Sequence, residues 1–196
     1  MPCSRRRWSP SGRAAGCSRA RAREAIALYE AIGDLRAAAR MRNNLAGVES
    51  LLGNIDAAVD LLERSRSALE ALGLEADVGY VLTSLAEIHL DGDRPRQAAD
   101  LALRALALLE GRADHVLETG MAHLALGRAL TRLGDLDESR AHLDRAAAIF
   151  DASASPSHRA EAWLAEGDLA RSRGDERQAA LLYRRAAVAL QPGSVA

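Results

Sequence analysis

HVLETGMAHLALGRALTRLGDLDESRAHLDRAAAIF, residues 115–150, reads as two apolar-striped segments hinged on Gly134-Asp135. In the first segment Leu126, Gly127 and Leu130 share a helical face, and in the second Ser139, Leu143 and Ala146 do, with the three-and-four spacing of a buried helix stripe. The glycine stands where a helix closes through a left-handed residue. The aspartate stands where a side-chain oxygen accepts an orphan N–H of the next helix. The stretch is a helix-turn-helix hairpin.

The same punctuation recurs on both sides. Gly53-Asn54, Gly92-Asp93, Gly134-Asp135 and Gly174-Asp175 follow one another at 39, 42 and 40 residues. A period of about 40 residues is the mark of stacked helical units. The pattern places first helices near 35–52, 78–91, 115–133 and 158–173, and second helices near 55–72, 94–109, 136–150 and 176–190. Upstream, Ala25, Leu28, Tyr29 and Ile32 mark a lone second helix that closes at Gly33-Asp34. The organisation expected is a disordered basic tail over 1–17, a half repeat over 18–33, repeats over 34–73, 74–113, 114–155 and 156–190, and a short tail over 191–196. The fold class is all-α, a right-handed α-solenoid. Its terminal helices are expected to lack cover, exposing Ile26, Tyr29 or their neighbours at one end. At the other end the last helix, with Ala179, Leu182, Tyr183, Ala186 and Leu190 on one side and Leu181 and Val188 elsewhere, is left uncovered, so that self-association through an end, or flanking sequence of a longer parent, is expected.

Composition agrees with helices packed closely on leucine and alanine. Hydrophobic residues make up 48% of the 196 residues but aromatics only 3%, and strands favour aromatic and β-branched residues. All 26 basic residues are arginine, which points to a GC-rich, bacterial source and excludes a phosphate loop or a Schiff base built on lysine. Arg5, Arg6, Arg7, Arg13, Arg19, Arg21 and Arg23 precede the first acid, Glu24, so the rest of this chain of net charge −1 is acidic. An acidic array is a poor ligand for phosphate backbones, so no nucleic acid is expected on the repeats. The Arg- and Ser-rich start has a transit-peptide composition, but an untidy gene start or the stub of a longer parent fits better. Cys3 and Cys17 match no metal spacing, and no apolar stretch has the length of a membrane span, so a cytoplasmic protein is expected.

Position by position, Leu45-Ala46, Leu85-Ala86 and Leu126-Gly127 recur in the first helices, with Glu49, His89, Leu130 and Leu169 beyond them. Ala58, Ala98, Ser139 and Ala179 recur in the second helices, followed by Leu62, Ala102, Leu143 and Tyr183, then Ser65, Ala105, Ala146 and Ala186. This pattern resembles the tetratricopeptide repeat over about 18–190. The units are longer than the standard 34 residues, as in kinesin light chains and the sensor regions of some bacterial transcriptional activators. HEAT-type repeats share the period but fit the Gly-Asp turns and paired small residues less well.

The resemblance implies a protein or peptide ligand held in a concave groove lined by the first helices. Carried over, the groove residues are Arg40, Asn43 and Asn44; Tyr80, Thr83, Ser84 and Glu87; Arg128, Thr131 and Arg132; and Trp163 and Arg171. Asn43 and Asn44 suit backbone recognition because an amide both donates and accepts, and solvated helix positions are the plain alternative. The arginines suit a carboxylate or phosphate, or else pair with neighbouring acids. Trp163 is either a groove anchor or packing between the third and fourth pairs. A second reading is the effector-sensing C-terminal part of a bacterial transcriptional regulator without its DNA-binding half. No HExxH, GxSxG, GxGxxG or EF-hand pattern occurs, His89 and His123 fall on packing positions, and His115, His142 and His158 are scattered. No catalytic activity, cofactor, metal or membrane partner is expected.

Overall fold

The computed structural model describes residues 10–191, with side chains from residue 19 onward. Among these residues every regular element is helical: α1 (Pro10–Ala31), α2 (Leu35–Leu51), α3 (Ile55–Ala71), α4 (Glu75–Asp91), α5 (Pro95–Leu109), α6 (Val116–Leu133), α7 (Leu136–Ala152), α8 (Pro156–Ser172) and α9 (Glu176–Ala189). A single 3-10 turn, Ala113–His115, precedes α6. The boundaries follow the sequence closely, with one difference at the start. α1 begins at Pro10, so residues 10–17, expected as disordered tail, are drawn into the first helix. The remainder of that tail lies outside the described residues. Pro95 and Pro156 both open a helix, where the missing N–H breaks no hydrogen bond.

The chain divides into two compact units, Met1–Leu74 and Glu75–Ala196. In the first, α1 packs on α2 and α2 on α3. In the second, α4, α6 and α8 each pair with the following helix, α5 and α7 pack on the next first helix, and α4 touches α6 as α6 touches α8. The array is built by small residues. A Cβ on Gly127 would stand 2.6 Å from Leu143 Cδ2, and one on Gly167 would stand 2.5 Å from Tyr183 Cε1, so glycine permits the close approach of α6 to α7 and of α8 to α9, while Ala46 and Ala86 hold the same place on α2 and α4. The pairs 127/143 and 167/183 have the same separation, which sets the register of the fourth unit. Ala170, rather than Leu169, therefore corresponds to Glu49, His89 and Leu130. Leu169 instead corresponds to Ala129, and it is buried with Leu124, Leu143, Phe150 and Ala162 in one apolar cluster of the second unit.

The turns hold a correction. Left-handed φ values fall at Gly53 (79°), Gly134 (90°) and Gly174 (82°), but in the second repeat at Asp93 (54°) and not at Gly92. The true period is thereby more even than the Gly-Asp pairs suggest, because Gly92 is one residue early. Caps are also fewer than expected. Asp34 and Asp175 accept from the N–H of Ala37 and Gln178, each at 2.9 Å, whereas Asn54 and Asp135 make no side-chain cap. Of the apolar residues at the start, Ile26 is buried and Tyr29 half-buried, while their neighbours Leu28 and Ile32 are exposed. On α9 Leu181, Val188 and Leu190 are exposed, whereas Ala179, Leu182 and Ala186, also expected to lack cover, are buried and Tyr183 is half-buried.

Candidate functional site

In the second unit the first helices α4, α6 and α8 lie side by side, and residues at one register form a line across them. Glu87, Arg128 and Asp168 occupy one level; Asp91, Arg132 and Ser172 occupy the level one turn on. Arg128 Nη1 donates to Glu87 Oε1 at 3.2 Å. Arg132 donates to the Leu90 carbonyl and stands 3.9 Å from Asp93. On α8, Arg171 donates to Asp168 at 3.2 Å, and the Tyr183 hydroxyl donates to the same carboxylate oxygen at 2.7 Å. Between α6 and α8 lies a depression of about 170 Å³ lined by Arg128, Thr131, Arg132, Ala165, Asp168, Arg171 and Ser172. Three arginines and one carboxylate line it; Asp168 already accepts two hydrogen bonds, and each arginine has an acid beside it, Glu87 for Arg128, Asp93 for Arg132 and Asp168 for Arg171.

Burial pushes the Glu87 carboxyl above its ordinary range, and Arg128 opposes that shift. The Thr131 hydroxyl is held near the Gly127 carbonyl (3.0 Å) and the Ser139 hydroxyl (2.7 Å), so it is used largely inside its own hairpin. Of the other expected groove residues, Arg40, Asn43 and Asn44 belong to the first unit. Arg40 and Asn44 are exposed there and Asn43 is half-buried. Tyr80 and Ser84 are half-buried on α4. Thr83 does not reach a groove: it is 1% exposed and donates to the Gly79 carbonyl of its own helix at 3.1 Å. Trp163 is not a free anchor. It shares its register with the buried Leu82 and His123, packs against Ala170, Ala179 and Leu182 of the last pair, and carries the Arg159 guanidinium 4.8 Å above its ring.

Two clusters escaped the sequence because each depends on contact between helices. In the first unit Glu49 is buried and takes hydrogen bonds from Arg19 and Arg23 at 3.2 Å and from the Asn54 amide at 2.8 Å. Burial alone would raise its pKa, and the three donors together hold it below the ordinary value. In the second, His123 on α6 and His142 on α7 bring their Nδ1 atoms within 2.9 Å, so one ring donates to the other. Burial, then the neighbouring His142 and Arg145, push His123 down to about 4, and burial with Arg145 lowers His142. Among the described residues no three His, Cys, Asp or Glu side chains gather as metal ligands would. No helix of the described residues is long and apolar enough to cross a membrane.

Among the described residues the geometry defines an all-helical repeat protein in which Glu87, Arg128 and Asp168 stand at one level of consecutive first helices. The tetratricopeptide repeat model matches residues 37–111 and 118–188, and the chain belongs to that family. No curated protein matches it significantly. Among solved structures it is similar to BtubC (BKLC) from P. vanneervenii, at 20% identity over 90% of this chain and 88% of that one, with a TM-score of 0.57. At that identity the likeness shows the fold, an all-α tetratricopeptide-type solenoid.

Proposed function

We propose that this chain is a non-catalytic binding module of the bacterial cytoplasm that holds an acidic peptide segment on the α6–α8 face of its second unit. Tetratricopeptide repeats indicate a protein-interaction scaffold. The observation that supports the finer reading is the convergence of Arg128, Arg132 and Arg171 on one small depression that Asp168 also lines. An arriving carboxylate meets guanidinium groups already held in place, Arg128 and Arg132 by α4 and Arg171 by Asp168 of its own helix. It competes with those partners through forked hydrogen bonds that favour planar anionic groups over neutral ones. Partner-side Glu or Asp side chains, or a terminal carboxylate, satisfy this geometry.

Fluorescence anisotropy with a labelled Glu- and Asp-rich peptide bearing a free C-terminus tests the reading. Replacing Arg128, Arg132 or Arg171 by alanine is expected to weaken binding by roughly tenfold each, the scale of one charge-assisted hydrogen bond. Equal affinity for the three variants and the parent chain refutes it.

A further inference from the structure

We propose that the cleft between α7, α8 and α9 receives the ammonium group of a partner protein's lysine side chain, with Glu166 as the accepting carboxylate. The cleft holds about 470 Å³ and shares no lining residue with the α6–α8 depression. Its origin lies in two exchanges on α8. Glu166 stands at the register of Leu45, Leu85 and Leu126, which are 2% exposed or less, and Arg159 stands at that of the buried Ala38, Val78 and Thr119. Two places that the other three repeats fill with buried side chains therefore hold an acid and a base.

A carboxylate at a core position loses its hydration and needs donors to replace it. Arg159 Nη1 donates to Glu166 Oε1 at 2.8 Å, but Arg159 Nε donates to Asp151 Oδ1 at 3.0 Å, and the guanidinium also lies 4.8 Å from the Trp163 ring centroid. One cation is thus divided between two acids and a ring. Burial holds the Glu166 carboxyl above its ordinary range in spite of Arg159, and Asp144 pushes the same way. The other charges do not make up the shortfall. Arg140 donates to Asp144 at 3.1 Å, and Arg173 donates at 2.6 Å to Asp137, an acid outside the lining. Four acids line the cleft, and of its three arginines one is turned to an acid outside it, so a cation is what the cleft lacks.

The form of that cation follows from the lining. Ala147, Leu169, Ala170 and Leu182 are buried and give the cleft an apolar side, along which the methylene stem of a lysine can lie while its head reaches the carboxylates. An ammonium is compact and donates from any approach. A guanidinium pairs best with both oxygens of one carboxylate, and Arg159 already occupies Oε1 of Glu166. All 26 basic residues of this chain are arginine, so a lysine comes from a partner. The inference rests on the scaffold reading alone and not on the α6–α8 face.

Nα-acetyl-lysine methylamide, titrated to about 50 mM into the isotope-labelled full chain and followed by amide NMR shifts, is the probe, since so small a ligand binds in roughly the millimolar range. Saturable shifts are expected in residues 140–151 and 159–178. Glu166→Gln is expected to weaken binding about tenfold, and Glu166→Leu, which restores the residue of the other repeats, to abolish it. The same ligand acetylated on Nζ is expected to leave these residues unmoved. Arg128→Ala with Arg132→Ala is expected to leave binding unchanged, so failure here and failure at the α6–α8 face are read separately. No saturable shifts, equal affinity in the parent and both Glu166 variants, or an equal response to the Nζ-acetylated ligand overturns the proposal. So does Nα-acetyl-arginine methylamide binding at least as tightly, or cadaverine binding at least tenfold more tightly, which would make the cleft a seat for arginine or for a free diamine.

Discussion

Asp93 and Ala154 hold left-handed backbone, at φ 54° and 47°, in places where the other turns use glycine. A residue with a Cβ costs about 1–2 kcal/mol there, partly offset by the greater freedom of glycine in the unfolded chain. Ala154→Gly is therefore expected to raise stability by roughly 0.5–1 kcal/mol in urea melts. Gly134→Val, at φ 90° with open space around the added carbon, is expected to lose on the order of 1 kcal/mol or more through backbone strain alone. Unchanged midpoints for both would mean these turns do not hold a left-handed residue. The histidine pair gives a pH dependence. His123 ordinarily titrates near 6.5 and is pushed to about 4, so the unfolded chain takes up the proton first. Stability from this site is whole above 6.5 and falls as pH drops toward 4, by about 2 kcal/mol between pH 7 and pH 5. His123→Leu, which restores the residue type of Leu82 at that register, should flatten this part of the curve. A parallel fall in both proteins would remove His123 as its cause.

At the scale of the element, helix existence was legible because stripes of alanine and leucine repeat at helical spacing and Gly or Pro marks the ends. Position within the turn was not, since Asp tolerates a left-handed φ and the Gly92-Asp93 pair puts its left-handed residue second. The site was legible in the same uneven way. Register assigns Arg128, Arg132 and Arg171 to successive first helices, and the structure lines one depression with them. Thr83 and Trp163 could not be placed, because their fate depends on which neighbour covers them, a property of two helices at once. Glu49 is the sharpest case: nothing near it in sequence announces the arginines of α1. These arginines fasten α1 to α2, with Arg23 largely exposed and Arg19 partly covered. Glu49→Ala strands Arg19 and frees the Asn54 amide, so amide hydrogen exchange in α1 is expected to accelerate about tenfold or more while α6 to α9 stay protected. Exchange in α1 equal to that of the parent would show the ion pairs contribute nothing to its docking.

For the molecule as a whole, the two units carry different chemistry. The first has a depression lined by Ala22, Ala25, Met41, Leu45 and Val48 with Arg19, Arg21 and Asn44, and the second a line of charged side chains, Glu87, Arg128 and Asp168, along α4, α6 and α8. The overall charge of −1 hides this division, because the cations concentrated at the start offset an acidic remainder. Recognition at the α6–α8 face by charge-assisted bonds should weaken steeply with salt, because exposed ion pairs are screened over about 8 Å at physiological ionic strength. The most direct test of that face is hydrogen–deuterium exchange on the full chain with and without a saturating Glu- and Asp-rich peptide. Protection confined to residues 124–134 of α6 and 164–174 of α8, absent in Arg128→Ala/Arg132→Ala, is the result expected. Protection centred instead on α7 and α9, or none at saturation, would contradict the account.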